Sequence, residues 1–129
     1  MAANFALEDL ELWHLSRGLR QRFSLMVKKL PIDERYRLAD QIIRASRSIT
    51  ANLAEGYGRF HFQENIQYCR QARGSLYELV DHLTVALDEK YIHKAEFDEI
   101  DEMIKLIAKK LNAYINYLVK QKQAHSATN

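Results

Sequence analysis

Between Phe97 and Leu118, apolar residues recur in alternating steps of three and four: Phe97, Ile100, Ile104, Ile107, Leu111, Tyr114 and Leu118. A strand would need apolar residues at every second position instead. A seam averaging about 3.5 residues keeps one helical face turned toward near-parallel neighbours, the packing of left-handed bundles. The rest of the chain supplies those neighbours. Leu12, Leu15, Leu19, Phe23, Met26 and Leu30 mark a first helix, which Pro31 ends because its ring disfavours helical geometry in the residue before it. Asp33 is placed to cap a second helix, with Glu34 in its first turn. That helix carries Leu38, Ile42, Ala45, Ile49 and Leu53 and stops at Gly56, a residue suited to the left-handed conformation that follows many helices. After the aromatic-rich stretch Gly56-Tyr-Gly-Arg-Phe-His-Phe62, a third helix carries Ile66, Cys69, Ala72, Leu76, Leu79, Leu83 and Ala86 and closes near Lys90.

These periods predict an all-α chain, an up-down-up-down antiparallel four-helix bundle forming one domain over residues 1–119. The helices are expected at about 8–30, 33–55, 63–90 and 94–119, followed by a frayed polar tail over 120–129. The chain has 129 residues, one ordinary domain's worth. It contains no run of about 18 apolar residues that would span a membrane, and its first residues lack the basic and apolar regions of a signal peptide. Cys69 is the lone cysteine and falls on an apolar face, which suits a buried thiol in a reducing compartment. A cytoplasmic location follows as the expectation.

Within the second helix a polar row runs beside the apolar one. Ser48, Asn52 and Glu55 are spaced i, i+4, i+7 and abut the seam of Ala45, Ile49 and Leu53. In an antiparallel bundle Ser75 and Glu78 of the third helix run past this row, together with Arg70 and Arg73. Ser48, Asn52, Glu55, Ser75 and Glu78 are therefore read as a structural polar layer that sets register. An ion pair from Glu55 to Arg59, Arg70 or Arg73 would belong to it, fixing register more than adding stability. Gly74, next to Ser75, reads as a close helix–helix contact.

The net charge of +2 conceals a partition. Residues 17–73 carry twelve bases against five acids, whereas residues 74–104 carry nine acids against two bases. All ten arginines lie between Arg17 and Arg73, and every later base is lysine. Solubility needs no such choice; bidentate recognition of phosphate or carboxylate does. Arg17 with Arg20, and Arg44 with Arg47, share helical faces at i, i+3, and their helices are chain neighbours that can merge the pairs into one basic surface. Arg17, Arg20, Arg44, Arg47, Arg59, Arg70 and Arg73 are the candidate nucleic-acid contacts. Tyr36, Tyr57, Phe60 and Phe62 nearby are suited to stacking on unpaired bases. Pairing of the arginines with the acidic block, within the protein's own assembly, is the competing use.

Other chemistries find little footing. A bundle carboxylate–metal site needs Glu-x-x-His on each of two helices, and the chain does not supply that pair. His14, His61, His82, His93 and His125 are scattered over different elements. Cys69 and Ser75 have no histidine one turn away, and Gly56-Tyr-Gly58 follows a helix, unlike a nucleotide fingerprint. No catalytic residue, metal ligand or cofactor is expected.

The residues also resemble a family. Phe5-Ala-Leu-Glu-Asp-Leu-Glu-Leu-Trp13, Leu30-Pro31, Glu34-Arg-Tyr36, Gln41-Ile-Ile-Arg-Ala45, Ser48-Ile-Thr-Ala-Asn-Leu-Ala-Glu-Gly-Tyr-Gly-Arg59, Gly74-Ser75 and Leu76-Tyr-Glu-Leu79 are similar to the bacterial proteins encoded within 23S rRNA intervening sequences. The resemblance covers roughly residues 5–119, with Ser48–Arg59 as its most specific block. It implies a non-enzymatic four-helix bundle prone to form ring-shaped homopentamers. It also implies a fold shared with the accessory variability protein of diversity-generating retroelements, a basic pentamer that binds a reverse transcriptase and nucleic acid. Together, residues and resemblance lead to an expected non-catalytic homo-oligomer that binds structured RNA, rRNA or its intervening sequence. The alternative is a protein-interaction scaffold or accessory factor, for example a reverse-transcriptase partner.

Overall fold

The structure, a computed structural model, describes Leu7 and residues 10–128. Among the described residues there are four α-helices and no strand: α1 (Glu11–Met26), α2 (Leu38–Gly58), α3 (Phe62–Asp88) and α4 (Lys94–Thr128). Each buries the stripe that its period marks. Leu19, Phe23 and Met26 of α1 meet Ile42, Ile49 and Leu53 of α2, Ile66, Leu76, Leu79 and Leu83 of α3, and Ile100 and Ile107 of α4, all fully buried. Successive helices pack side by side and α4 closes on α1, so α1 and α3 are diagonal. Side-chain bonds across the seams give the directions. Ser48 meets Ser75 while Gly56 approaches Asn65, Arg73 meets Asn112 while Asn65 meets Tyr114, and Glu11 meets Lys110 while Arg22 meets Glu96; α1 and α2, joined by a short connection, meet at Arg20 and Thr50. Each pair of adjacent helices is therefore antiparallel, an up-down-up-down bundle.

The α1–α2 connection departs from expectation. α1 ends at Met26 and passes through a 3₁₀ turn at Val27–Lys29, and a second turn at Ile32–Glu34 follows Pro31. Asp33 does not cap α2, which begins five residues later, at Leu38, after Arg37 with no side-chain cap. Glu34 organises the turn instead: its carboxylate accepts from the Leu38 N–H at 3.5 Å and from the Tyr91 hydroxyl at 2.7 Å. That second bond ties the α1–α2 connection to the α3–α4 connection. Residues 8 and 9, where the first helix is expected to start, lie outside the described residues.

Neither glycine takes its expected role. Gly56 does not stop α2. It is buried inside the helix, and a Cβ there would lie 2.8 Å from both Asn65 Oδ1 and Tyr68 Cβ. Glycine is required at that point because α3 crosses so close. The chain leaves α2 two residues later and reverses at Phe60, whose φ is +52°. Gly74, expected at a close contact, faces open space. At the other end, α4 stays helical to Thr128, through the stretch expected to be frayed. Among the described residues, no helix is long and apolar enough to cross a membrane.

Candidate nucleic-acid interface

The polar row of α2 finds part of its expected partner. Ser48 Oγ lies 2.8 Å from Ser75 Oγ across the α2–α3 seam, and the Asn52 amide donates to the Ser48 hydroxyl and carbonyl oxygens, each at 2.9 Å. Because helical residues four apart stack on one face, Asn52 holds Ser48 while Ser48 reaches α3. Glu55 and Glu78 stand apart from this cluster. Glu78 pairs with His82 on its own helix at 2.9 Å, and Glu55 with Arg59 at 3.2 Å. The Glu55–Arg59 pair is about half exposed on both sides (53% and 43%), a surface pair worth little to stability.

The seven candidate arginines divide into three sets. Arg17, Arg20, Arg44 and Arg47 belong to adjacent α1 and α2. Arg20 donates to Thr50 Oγ1 at 2.9 Å, and Thr50 bonds to the carbonyl of Arg47, so the two helices meet where these arginines emerge. Arg17 is exposed with its guanidinium 6.0 Å from the centre of the Trp13 ring, and Arg47 is exposed one turn from Thr50. Arg44 pairs with Asp40 at 2.9 Å while 80% exposed. Among the described residues, no carboxylate pairs with Arg17, Arg20 or Arg47. Arg–phosphate pairing is bidentate and charge-assisted, so such a row is suited to a phosphate backbone.

Arg59 forms the second set, at the end of α2. It bonds to the Tyr68 hydroxyl at 2.8 Å and lies near Glu55 and, at 3.5 Å, Glu64. Tyr68 first, then Glu55, raise its pKa above the ordinary arginine value. Arg70 and Arg73 form the third set. Arg73 donates to Asn112 of α4 at 2.9 Å, which places this set on the α3–α4 side, across the bundle from α1 and α2.

Sequence reasoning passed over an arginine that the fold consumes. Arg22 donates to Glu99 and Glu96 at 2.8 Å each, and Lys29 reaches Glu96 at 2.8 Å. The hydrogen bond to Glu99 raises Arg22 against the opposing effect of burial. Burial pushes Glu96 up, but the hydrogen bonds from Lys29 and Arg22 outweigh it and hold the carboxyl below its ordinary value. Part of the acidic block is thus used within the chain's own fold, clamping α4 to α1. Its signal was the Glu96/Glu99 pair at i, i+3.

At the α2–α3 turn a cavity of about 470 Å³ opens among aromatic rings, Tyr57, Phe60, Phe62 and Tyr117 among them. Deeper in, Asn65 donates to the Tyr114 hydroxyl at 3.1 Å and accepts from the Cys69 thiol at 3.5 Å. Burial pushes the Cys69 thiol up to about 12, far from a reactive thiolate.

A model of the family described as 23S rRNA-intervening sequence protein matches residues 8–113. Among solved structures, the chain is similar to a protein with unknown function from the S23 ribosomal protein family of Bacteroides thetaiotaomicron. The two are 23% identical with a TM-score of 0.74, over 81% of this chain and 97% of that one. At that identity the likeness bears on the fold alone. No curated protein matches the chain.

Proposed function

The chain belongs to the 23S rRNA-intervening sequence protein family, and on that footing we propose that it is a non-catalytic, self-assembling cytoplasmic bundle that binds structured RNA, either rRNA or its intervening sequence. The arginine-bearing side of α1 and α2 is the contact surface. One observation carries the reading: Arg17, Arg20 and Arg47 lie along one pair of helices with no described carboxylate to neutralise them, while Arg22 and Arg59 are held by acids. A duplex backbone supplies the missing anions at regular spacing, and counterion release drives the association. The non-catalytic part of the reading draws on Cys69, whose buried, protonated thiol is a poor nucleophile.

A second reading draws on the opposite side of the bundle. There Arg70 and Arg73 share α3 with Tyr77, which is 59% exposed. Arg and Tyr are the residue types that anchor protein interfaces. This side suits contact with another copy of the chain or with a protein such as a reverse transcriptase.

Filter binding of an rRNA-derived hairpin at 50 and 200 mM salt tests the RNA reading. With three or four phosphates neutralised, affinity falls on the order of 100-fold over that range. Absence of binding, or binding indifferent to salt, overturns it.

A further inference from the structure

Phe60 is 87% exposed, yet its backbone is held at a φ of +52°, a region that residues other than glycine rarely enter. An exposed ring gains little from the fold, and glycine would make this reversal at lower conformational cost. Such strain collects where a side chain serves something outside the fold.

The surroundings say what that is. Phe60 lies 6.2 Å, centre to centre, from Tyr57 on the wall of the aromatic cavity. On the α4 side Tyr114 and Tyr117 stack at 6.3 Å with their planes only 12° apart, and Tyr117 is 55% exposed. Inside, the Tyr114 hydroxyl accepts from Asn65, so its own proton is left to donate into the space. A second cavity of about 270 Å³ shares Phe60 and Phe62 and brings Lys122 to its wall. Lys122 donates to the Gln63 side-chain oxygen and pairs with no described carboxylate. Flat apolar walls, a hydroxyl within and an unneutralised cation at the rim fit a planar heterocycle joined to an anion. An apolar peptide side chain would use the rings and leave the cation idle.

We propose that this cavity takes one unpaired nucleobase from an RNA bulge or loop, held against Phe60 and Tyr117 with an adjoining phosphate at Lys122. The inference rests on the RNA-binding reading above and adds to it a preference for interrupted duplexes. Its volume lies within the range of about 300–1,000 Å³ typical of small-ligand sites.

The test uses the full chain and two RNA probes, a perfect duplex and the same duplex carrying a single-nucleotide bulge. The native protein binds the bulged probe on the order of tenfold more tightly, the scale of one base–aromatic stack. Phe60→Ala and Tyr117→Ala, both at exposed positions, lower bulge affinity to the duplex level and leave duplex affinity and melting temperature unchanged. Equal affinity of the native protein for both probes overturns the cavity assignment and leaves the RNA reading standing. Failure to bind either probe at low salt overturns both. If Phe60→Ala instead lowers the assembly mass in light scattering, the ring belongs to a subunit contact and the assignment falls.

Discussion

Replacing Gly56 with alanine tests the closest approach in the bundle. Two contributions of opposite sign are involved. Alanine in place of glycine inside a helix gains about 0.5–1 kcal/mol by restricting the unfolded chain. Against this, the new Cβ would sit 2.8 Å from Asn65 Oδ1, 2.8 Å from Tyr68 Cβ and 3.3 Å from Asn65 Cα. Two of these are atoms at or next to the α3 backbone, so relief requires α2 and α3 to separate, two turns from the point where Ser48 and Ser75 tie them together. Overpacking of this kind costs about 1–3 kcal/mol, and the rigidity of the neighbours puts Gly56 at the upper end. The net expectation is a loss of about 1–2 kcal/mol, or roughly 5 °C in melting temperature for a chain of this size. Gly74→Ala is the control: it lies within α3 with open space around it and keeps only the favourable contribution of about 0.5–1 kcal/mol. Urea unfolding of both variants measures the contrast. If Gly56→Ala is as stable as Gly74→Ala, the close crossing of α2 and α3 is wrong.

Two further outcomes follow from the side-chain bonds. Ser48→Ala and Ser75→Ala each lower stability by about 1 kcal/mol, and the double variant loses less than the sum because the two hydroxyls share one bond; strict additivity in a urea double-mutant cycle would contradict that. Glu96→Gln loses about 1.5 kcal/mol at pH 7, the low end for hydrogen bonds to a charged group. Because the folded state holds Glu96 below its ordinary value of 4.5, its contribution is complete above that pH and disappears as pH falls through the folded value. The gap between native and variant melting temperatures therefore narrows as pH falls below 4.5, and a gap that stays constant through acid pH would remove Glu96 as its source.

The helices were legible because a period of three and four leaves little else for a chain to do. Their ends were less so. The delayed start of α2 depends on Glu34 meeting Tyr91, a contact between residues 57 apart that no local pattern announces. Glycine signals were ambiguous in kind: a helix stop and a close crossing call for the same residue, and only the neighbouring helix decides that Gly56 is the second and Gly74 neither. Ser48, Asn52 and Ser75 were readable from spacing, since one helical face and one antiparallel neighbour suffice to join them. Glu55 and Glu78 share that spacing but are captured by partners one turn away on their own helices, Arg59 and His82. The clustering of arginine was plain in the sequence, but its division was not. Whether Arg73 shares a surface with Arg47 depends on which edge of α3 bears it, and Arg73 is turned toward α4.

The slope of log affinity against log salt, compared between two variants, tests the central claim most directly. One replaces Arg17, Arg20 and Arg47 with alanine, and the other replaces Arg70 and Arg73. Each phosphate contact removed lowers the steepness by about one unit. If α1 and α2 carry the RNA, the first variant loses about three units and the second keeps the native slope. A native slope in the first variant, with the loss in the second, would place the RNA on the α3–α4 side and contradict the account.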